Sequence, residues 1–131
     1  MKTIIAYKTR CGSTKEYAQL LSKALKCKAF EMDSIKDLNC DRLIVMSGVY
    51  AGQMPLVSFV KSNWKKIKGK ELIMIAVGLV DEHHWWSKIS YFFIPHKIKK
   101  QAKYFKIIGR DPDNKEPVKK ENLKRVIDYL K

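Results

Sequence analysis

Thr9-Arg10-Cys11-Gly12-Ser13-Thr14 stands between an apolar run, Thr3-Ile4-Ile5-Ala6-Tyr7, and a strongly amphipathic segment. In that segment Tyr17, Leu20, Leu21, Ala24 and Leu25 recur at the spacing of one helical face. A strand that ends in hydroxyl residues and glycine, then passes straight into a helix, leaves backbone N–H groups unpaired. The positive end of the helix dipole lies behind them. Such a loop is a cradle for an anion.

Working outward, apolar runs at 2–7, 28–32, 42–47, 71–77 and 104–108 read as buried strands. Pro55 suits a first helical turn, and Leu56, Phe59, Val60, Trp64 and Ile67 continue one helical face to a stop near Gly69. Leu123, Val126, Ile127 and Leu130 repeat the spacing at the C-terminal end. The connection 33–41 has room for about one helical turn, so the covering layer there is expected to be thin. Residues 109–117 read as a solvated loop. Alternating strands and helices imply an α/β fold with a parallel sheet covered on both faces, in a single domain spanning residues 1–131. Ligands in such sheets bind at the carboxyl ends of strands, where the strand order switches, and Thr9 to Thr14 lies at such an end.

Composition narrows the class of partner. Lysine and arginine outnumber aspartate and glutamate 27 to 13, a formal charge of +14 that favours anionic partners. No acidic residue occurs from His83 to Arg110, where Lys88, Lys97, Lys99, Lys100, Lys103, Lys106 and Arg110 accumulate, so one face is expected to be more basic than the rest. Cys11, Cys27 and Cys40 have no spacing that suggests a disulfide framework or a zinc site. His83 and His84 are adjacent, their side chains diverge, and no metal site is expected from them. With no apolar stretch of about 18 residues and no signal-like leader, the expected compartment is the cytoplasm.

Spacing excludes several phosphate loops. Neither G-x-x-x-x-G-K-[ST] nor G-x-G-x-x-G follows Tyr7. A cysteine phosphatase loop starting at Cys11 would need arginine where Tyr17 stands. A receiver domain would need aspartate where Met46-Ser47-Gly48 ends the third strand. What remains, Tyr7-Lys8-Thr9-Arg10-Cys11-Gly12-Ser13-Thr14 followed by Ala18 and Leu21, resembles the flavodoxin signature. That resemblance implies a three-layer sandwich on a five-stranded parallel sheet of order 2-1-3-4-5. It also implies FMN as cofactor, its 5′-phosphate held by Thr9, Arg10, Cys11, Gly12, Ser13 and Thr14. The loop after the third strand, Ser47-Gly48-Val49-Tyr50-Ala51-Gly52, carries glycines that let backbone approach a planar ring, and Tyr50 could stack on it. The loop after the fourth strand, from Gly78 and Leu79 to Trp85 and Trp86, takes the family's other ring-contacting position.

Within the family, the start of the chain and the strand Asp41-Arg42-Leu43-Ile44-Val45 are similar to the menaquinone-dependent protoporphyrinogen oxidase branch, although that branch's long insertion near the final strand is not apparent. The resemblance implies flavin-mediated electron transfer with no protein general acid or base, a redox partner protein or quinone as partner, and a place in heme biosynthesis. Trp85, Trp86, Tyr91, Phe92, Phe93 and Ile94 beside the lysine cluster suit an anionic membrane surface contacted through residues 85–106, with peripheral attachment at the inner face. Two other readings stand beside this one. One is a nucleic-acid-binding module, disfavoured by the lack of a recognised motif. The other is a flavodoxin fold without cofactor that acts in protein contacts.

Overall fold

Parallel pairing with near-continuous apolar strands produces one five-stranded sheet. A computed structural model describes residues 2–9, 13–35, 37–48, 55–78, 94–108 and 120–130. The strands are β1 (Thr3–Lys8), β2 (Lys28–Glu31), β3 (Arg42–Gly48), β4 (Glu71–Gly78) and β5 (Ala102–Ile108), in the spatial order β2-β1-β3-β4-β5, and every pair is parallel. This is the flavodoxin-like α/β arrangement expected from the sequence.

Side-chain alternation divides the core in two. On one face Ala6, Val45, Met74 and Ala76 pack with Leu56 and Val60 of α2 (Pro55–Ser62), Ile67 of α3 (Trp64–Ile67) and Ile98 of α4 (His96–Gln101). On the other, Ile5, Tyr7, Ile44, Met46, Ile75 and Phe105 meet Tyr17, Ala18 and Leu21 of α1 (Ser13–Leu25). A 3-10 turn (Lys120–Leu123) and α5 (Lys124–Leu130) complete that layer with Leu123, Val126 and Leu130. Each fully buried aliphatic side chain contributes roughly 1.5–3 kcal/mol, so β3 and β4, covered on both faces, hold the sheet together.

Four expectations are corrected. The second strand is not a buried one. It is a four-residue edge strand in which Lys28, Phe30 and Glu31 are exposed, and Phe30 keeps 39% of its surface in water. The cause is the short 33–41 connection, which makes a single turn, Ser34 and Ile35 N–H to Glu31 O, and has no helix to lay over the edge. Met32, Leu38 and Cys40 fill the core from that connection instead. The helix expected over 55–69 breaks at Asn63, whose side-chain amide donates to Phe59 O at 2.9 Å and whose backbone leaves helical geometry (φ −111°, ψ 17°). The fifth strand starts at Ala102 rather than Tyr104, because α4 hands directly to it. Leu123 lies in the 3-10 turn rather than in the last helix. The expected loop at 109–117 lies outside the described residues.

At the amino-terminal edge of the sheet, Gln101 fastens α4 to the end of α3. Its amide donates to Ile67 O at 3.0 Å and Lys70 O at 2.6 Å, and its oxygen accepts from Gly69 N at 3.3 Å. Gly69 makes the turn possible with φ +87°, a conformation costly for any side chain. Gln101→Ala removes three hydrogen bonds, although Ile67 O keeps its bond from Lys70 N, and is expected to cost roughly 1–3 kcal/mol in urea unfolding. An unchanged midpoint would show that the clasp contributes nothing.

Candidate functional site

The switch in strand order lies between β1 and β3. From β1 the chain turns through α1 to β2 on one side, whereas from β3 it turns through α2 to β4 on the other. The helices also take opposite faces, α1 in one core and α2 in the other. A crevice at the carboxyl ends of these strands is the geometric result.

The described site residues gather on that edge. Thr9 follows the last residue of β1 and is half-buried; Ser13 and Thr14 open α1 and are 7% and 2% exposed. Lys8 pairs in register with Ser47, Ser47 with Ala76, and Ala76 with Lys106. Gly48 and Gly78 end β3 and β4 on the same rim. Thr9, Ser13, Thr14, Ser47, Gly48 and Gly78 therefore share one edge across three adjacent strands. Arg10, Cys11, Gly12, Val49, Tyr50, Ala51, Gly52, Leu79, Trp85 and Trp86 lie outside the described residues.

The donor chemistry suits a phosphate. A thirteen-residue helix begins at two buried hydroxyl residues, and its first-turn N–H groups have no intrahelical acceptor. In sequence, no carboxylate occurs from Lys2 to Lys15, a stretch that holds Lys8, Arg10 and Lys15, and Glu16 follows in the first turn of α1. Lys8 Nζ reaches Asp33 at 3.2 Å, and because both side chains are largely solvated the pair adds little stability.

Ser47 has a structural role at this edge. Fully buried, its hydroxyl accepts from Leu56 N at 3.1 Å and donates to Gly48 O at 3.0 Å. It caps α2 from outside, because Pro55 brings no N–H and Leu56 N is the first donor of the helix. The serine thus ties together the two ends of the 48–55 loop. Ser47→Ala is expected to lose about 1 kcal/mol of stability in urea unfolding, through the unsatisfied Leu56 N–H, and a neutral result would deny the cap.

Two groups bear on electrostatics away from the cradle. Burial pushes the Cys27 and Cys40 thiols up, so both stay protonated near neutral pH and neither is an activated nucleophile. Lys106 was read with the basic accumulation, yet it is 6% exposed. Strand alternation is the signal that sorts these lysines: Lys103 shares a face with Phe105, and its Nζ sits over the Phe105 and Tyr129 rings, whereas Lys106 shares the opposite face with Tyr104.

Desolvation holds the Lys106 ammonium below the usual lysine range. The native state then binds this proton less tightly than the unfolded chain. Stability at this site rises with pH on the alkaline side, between the lowered native value and the ordinary one. Lys106→Met is expected to be more stable than the parent at pH 7, with the gap narrowing as pH approaches the ordinary lysine range. Urea unfolding of both proteins across that range checks it, and a gap independent of pH would contradict the desolvation.

The sequence from residue 4 to 115 matches the family model for a flavodoxin domain. The chain belongs to the flavodoxin domain family. Among solved structures, a flavodoxin from the domain Archaea superposes with a TM-score of 0.63 at 15% identity, covering 98% of this chain and 92% of that one. A short-chain flavodoxin associated with a non-canonical PDU bacterial microcompartment gives 0.65 at 18%, covering 98% and 94%. Flavodoxin 2 from Bacillus cereus gives 0.61 at 18%, also covering 98% and 94%. At such identities the superpositions speak for the fold alone. No curated protein matches the chain in sequence. Among the described residues no cluster of histidine, cysteine or carboxylate is placed to hold a metal, and no helix is long and apolar enough to cross a membrane.

Proposed function

We propose that this flavodoxin-domain protein binds FMN at the carboxyl edge of β1, β3 and β4 and serves in flavin-mediated electron transfer. The observation that carries the proposal is the buried Ser13-Thr14 pair at the head of α1, set at the strand-order switch. Hydroxyls of Thr9, Ser13 and Thr14, with first-turn N–H groups, bind the 5′-phosphate. The loops leaving Gly48 and Gly78 bring backbone to the ring, the Ser47 cap fixing where the first begins. FMN, when bound, supplies one- or two-electron chemistry. The protein supplies orientation and charge, so its partners are a redox protein or a quinone.

Each hydrogen bond to a charged phosphate is worth roughly 1.5–3 kcal/mol. Thr14→Val, which keeps the shape and removes the hydroxyl, is therefore expected to weaken FMN at least about tenfold in a fluorescence-quenching titration. Riboflavin, lacking the phosphate, should bind the parent and the variant alike. Absence of quenching by FMN in the parent overturns the proposal, and equal losses for FMN and riboflavin would move the phosphate away from Thr14.

The narrower activity, quinone-linked protoporphyrinogen oxidation, is supported by the sequence similarity of the β1 and β3 regions to that branch. Porphyrinogen oxidation by the FMN-loaded protein with menaquinone as acceptor is the assay that decides it.

A further inference from the structure

Residues 55–70 and 94–108, which form α2, α3 and α4 and the strand after them, contain ten lysines, no arginine and no aspartate or glutamate. The opposite helical layer is mixed in sign. There Lys15, Lys23, Lys120, Lys124 and Arg125 alternate with Glu16, Glu121 and Asp128. The fold therefore sorts charge between its two faces, which the net value of +14 does not reveal.

Four of the ten stand apart from this surface. Lys70 Nζ donates to Cys40 O at 2.7 Å, Lys99 is half-buried, Lys103 lies on the other face, and Lys106 is buried. Lys61, Lys65, Lys66, Lys68, Lys97 and Lys100 are exposed. They form one surface because α3 and α4 are fastened together by the Gln101 clasp, and because Lys97 Nζ lies 5.5 Å over the Trp64 ring. The clasp joins the start of β4 to the start of β5, so this surface borders the amino-terminal edge of the sheet, away from the proposed flavin edge.

We infer that the α2–α4 layer docks on an anionic lipid surface through these lysines, of which Lys97 and Lys100 fall within residues 85–106. Two features favour lipid among polyanions. Every charge is lysine, a flexible point charge suited to diffuse attraction by headgroups, whereas specific phosphate or nucleic-acid contacts favour the planar fork of arginine. The one tryptophan described in this layer is half-buried under Lys97, so it offers no face on which a base can stack. With lipid at the amino-terminal edge, the carboxyl edge stays open to solvent and to a redox partner.

The test is co-sedimentation of the full chain with phosphatidylcholine vesicles, with and without phosphatidylglycerol at roughly one part in three. Binding is expected only with the anionic lipid and is expected to be lost in about 1 M salt. Lys65→Glu/Lys97→Glu/Lys100→Glu should weaken it at least tenfold. Lys23→Glu/Lys120→Glu/Lys124→Glu, with the same net charge but placed on the other layer, should retain most of it. Far-UV melting establishes that both variants fold. Equal losses in the two variants would overturn the inference in favour of net charge alone. Displacement of the protein from vesicles by a single-stranded oligonucleotide at lower concentration would overturn it in favour of nucleic acid. Vesicle binding is expected to be the same with and without FMN, so it stands or falls apart from the flavin proposal.

Discussion

The parallel pairing of β1 with β3 is the constraint on which the rest of the structure depends. Ile4 through Lys8 run beside Leu43 through Ser47, and the chain leaves the two strands in opposite directions. Because parallel neighbours cannot be joined by a tight turn, each departure needs a crossover, and right-handed crossovers on opposite sides of the switch must cover opposite faces. That single requirement sends α1 to one core and α2 to the other, and leaves the ends of β1 and β3 without a helix between them. A polar crevice at the edge of an apolar sheet follows from topology before any ligand is considered.

Charge is arranged around the same frame. At the head of α1, Lys8 pairs with Asp33 and Glu16 lies in the first turn; the charged residues of the described α2–α4 layer are all lysine, and the α1–α5 layer is mixed. Some acidic groups are committed elsewhere. Arg42 Nε and Glu71 lie 3.1 Å apart across β3 and β4 at the amino-terminal edge, although the N–H is not aimed at the carboxylate and the pair is held by charge rather than by a directed hydrogen bond. Asp41 accepts from Lys2 N at 2.8 Å on the same rim. The carboxylates thus help to tie strand starts, and the helical layer above them is left positive.

Much of this was legible in the residues. Continuous apolar runs such as Leu43 to Met46 can be satisfied only between two covering layers, and the hydroxyl residues before Tyr17 mark the head of α1 just after the first strand. Other features depend on partners distant in sequence. Phe30 reads as core until the 33–41 connection is seen to have no helix to cover it. Asn63 interrupts a well-patterned helix where its backbone leaves helical geometry, with its side-chain amide and its N–H both donating to Phe59 O. Ser47 reads as the first residue of a ring-contacting loop, and Pro55, eight residues later, creates the demand for the cap that its hydroxyl supplies. Lys103 and Lys106 look alike in a charge count and differ only by the two-residue period of the strand that carries them.

The central claim is that the carboxyl edge, and not another surface, receives FMN through its phosphate. Backbone amide chemical shifts of the labelled protein during an FMN titration test it most directly. The account predicts saturable shifts at Thr9, Ser13, Thr14, Gly48 and Gly78, with the amides of Trp64 to Ile67 and His96 to Gln101 unmoved. Saturable shifts confined to those lysine-bearing helices, or no saturable shift at all, would contradict it.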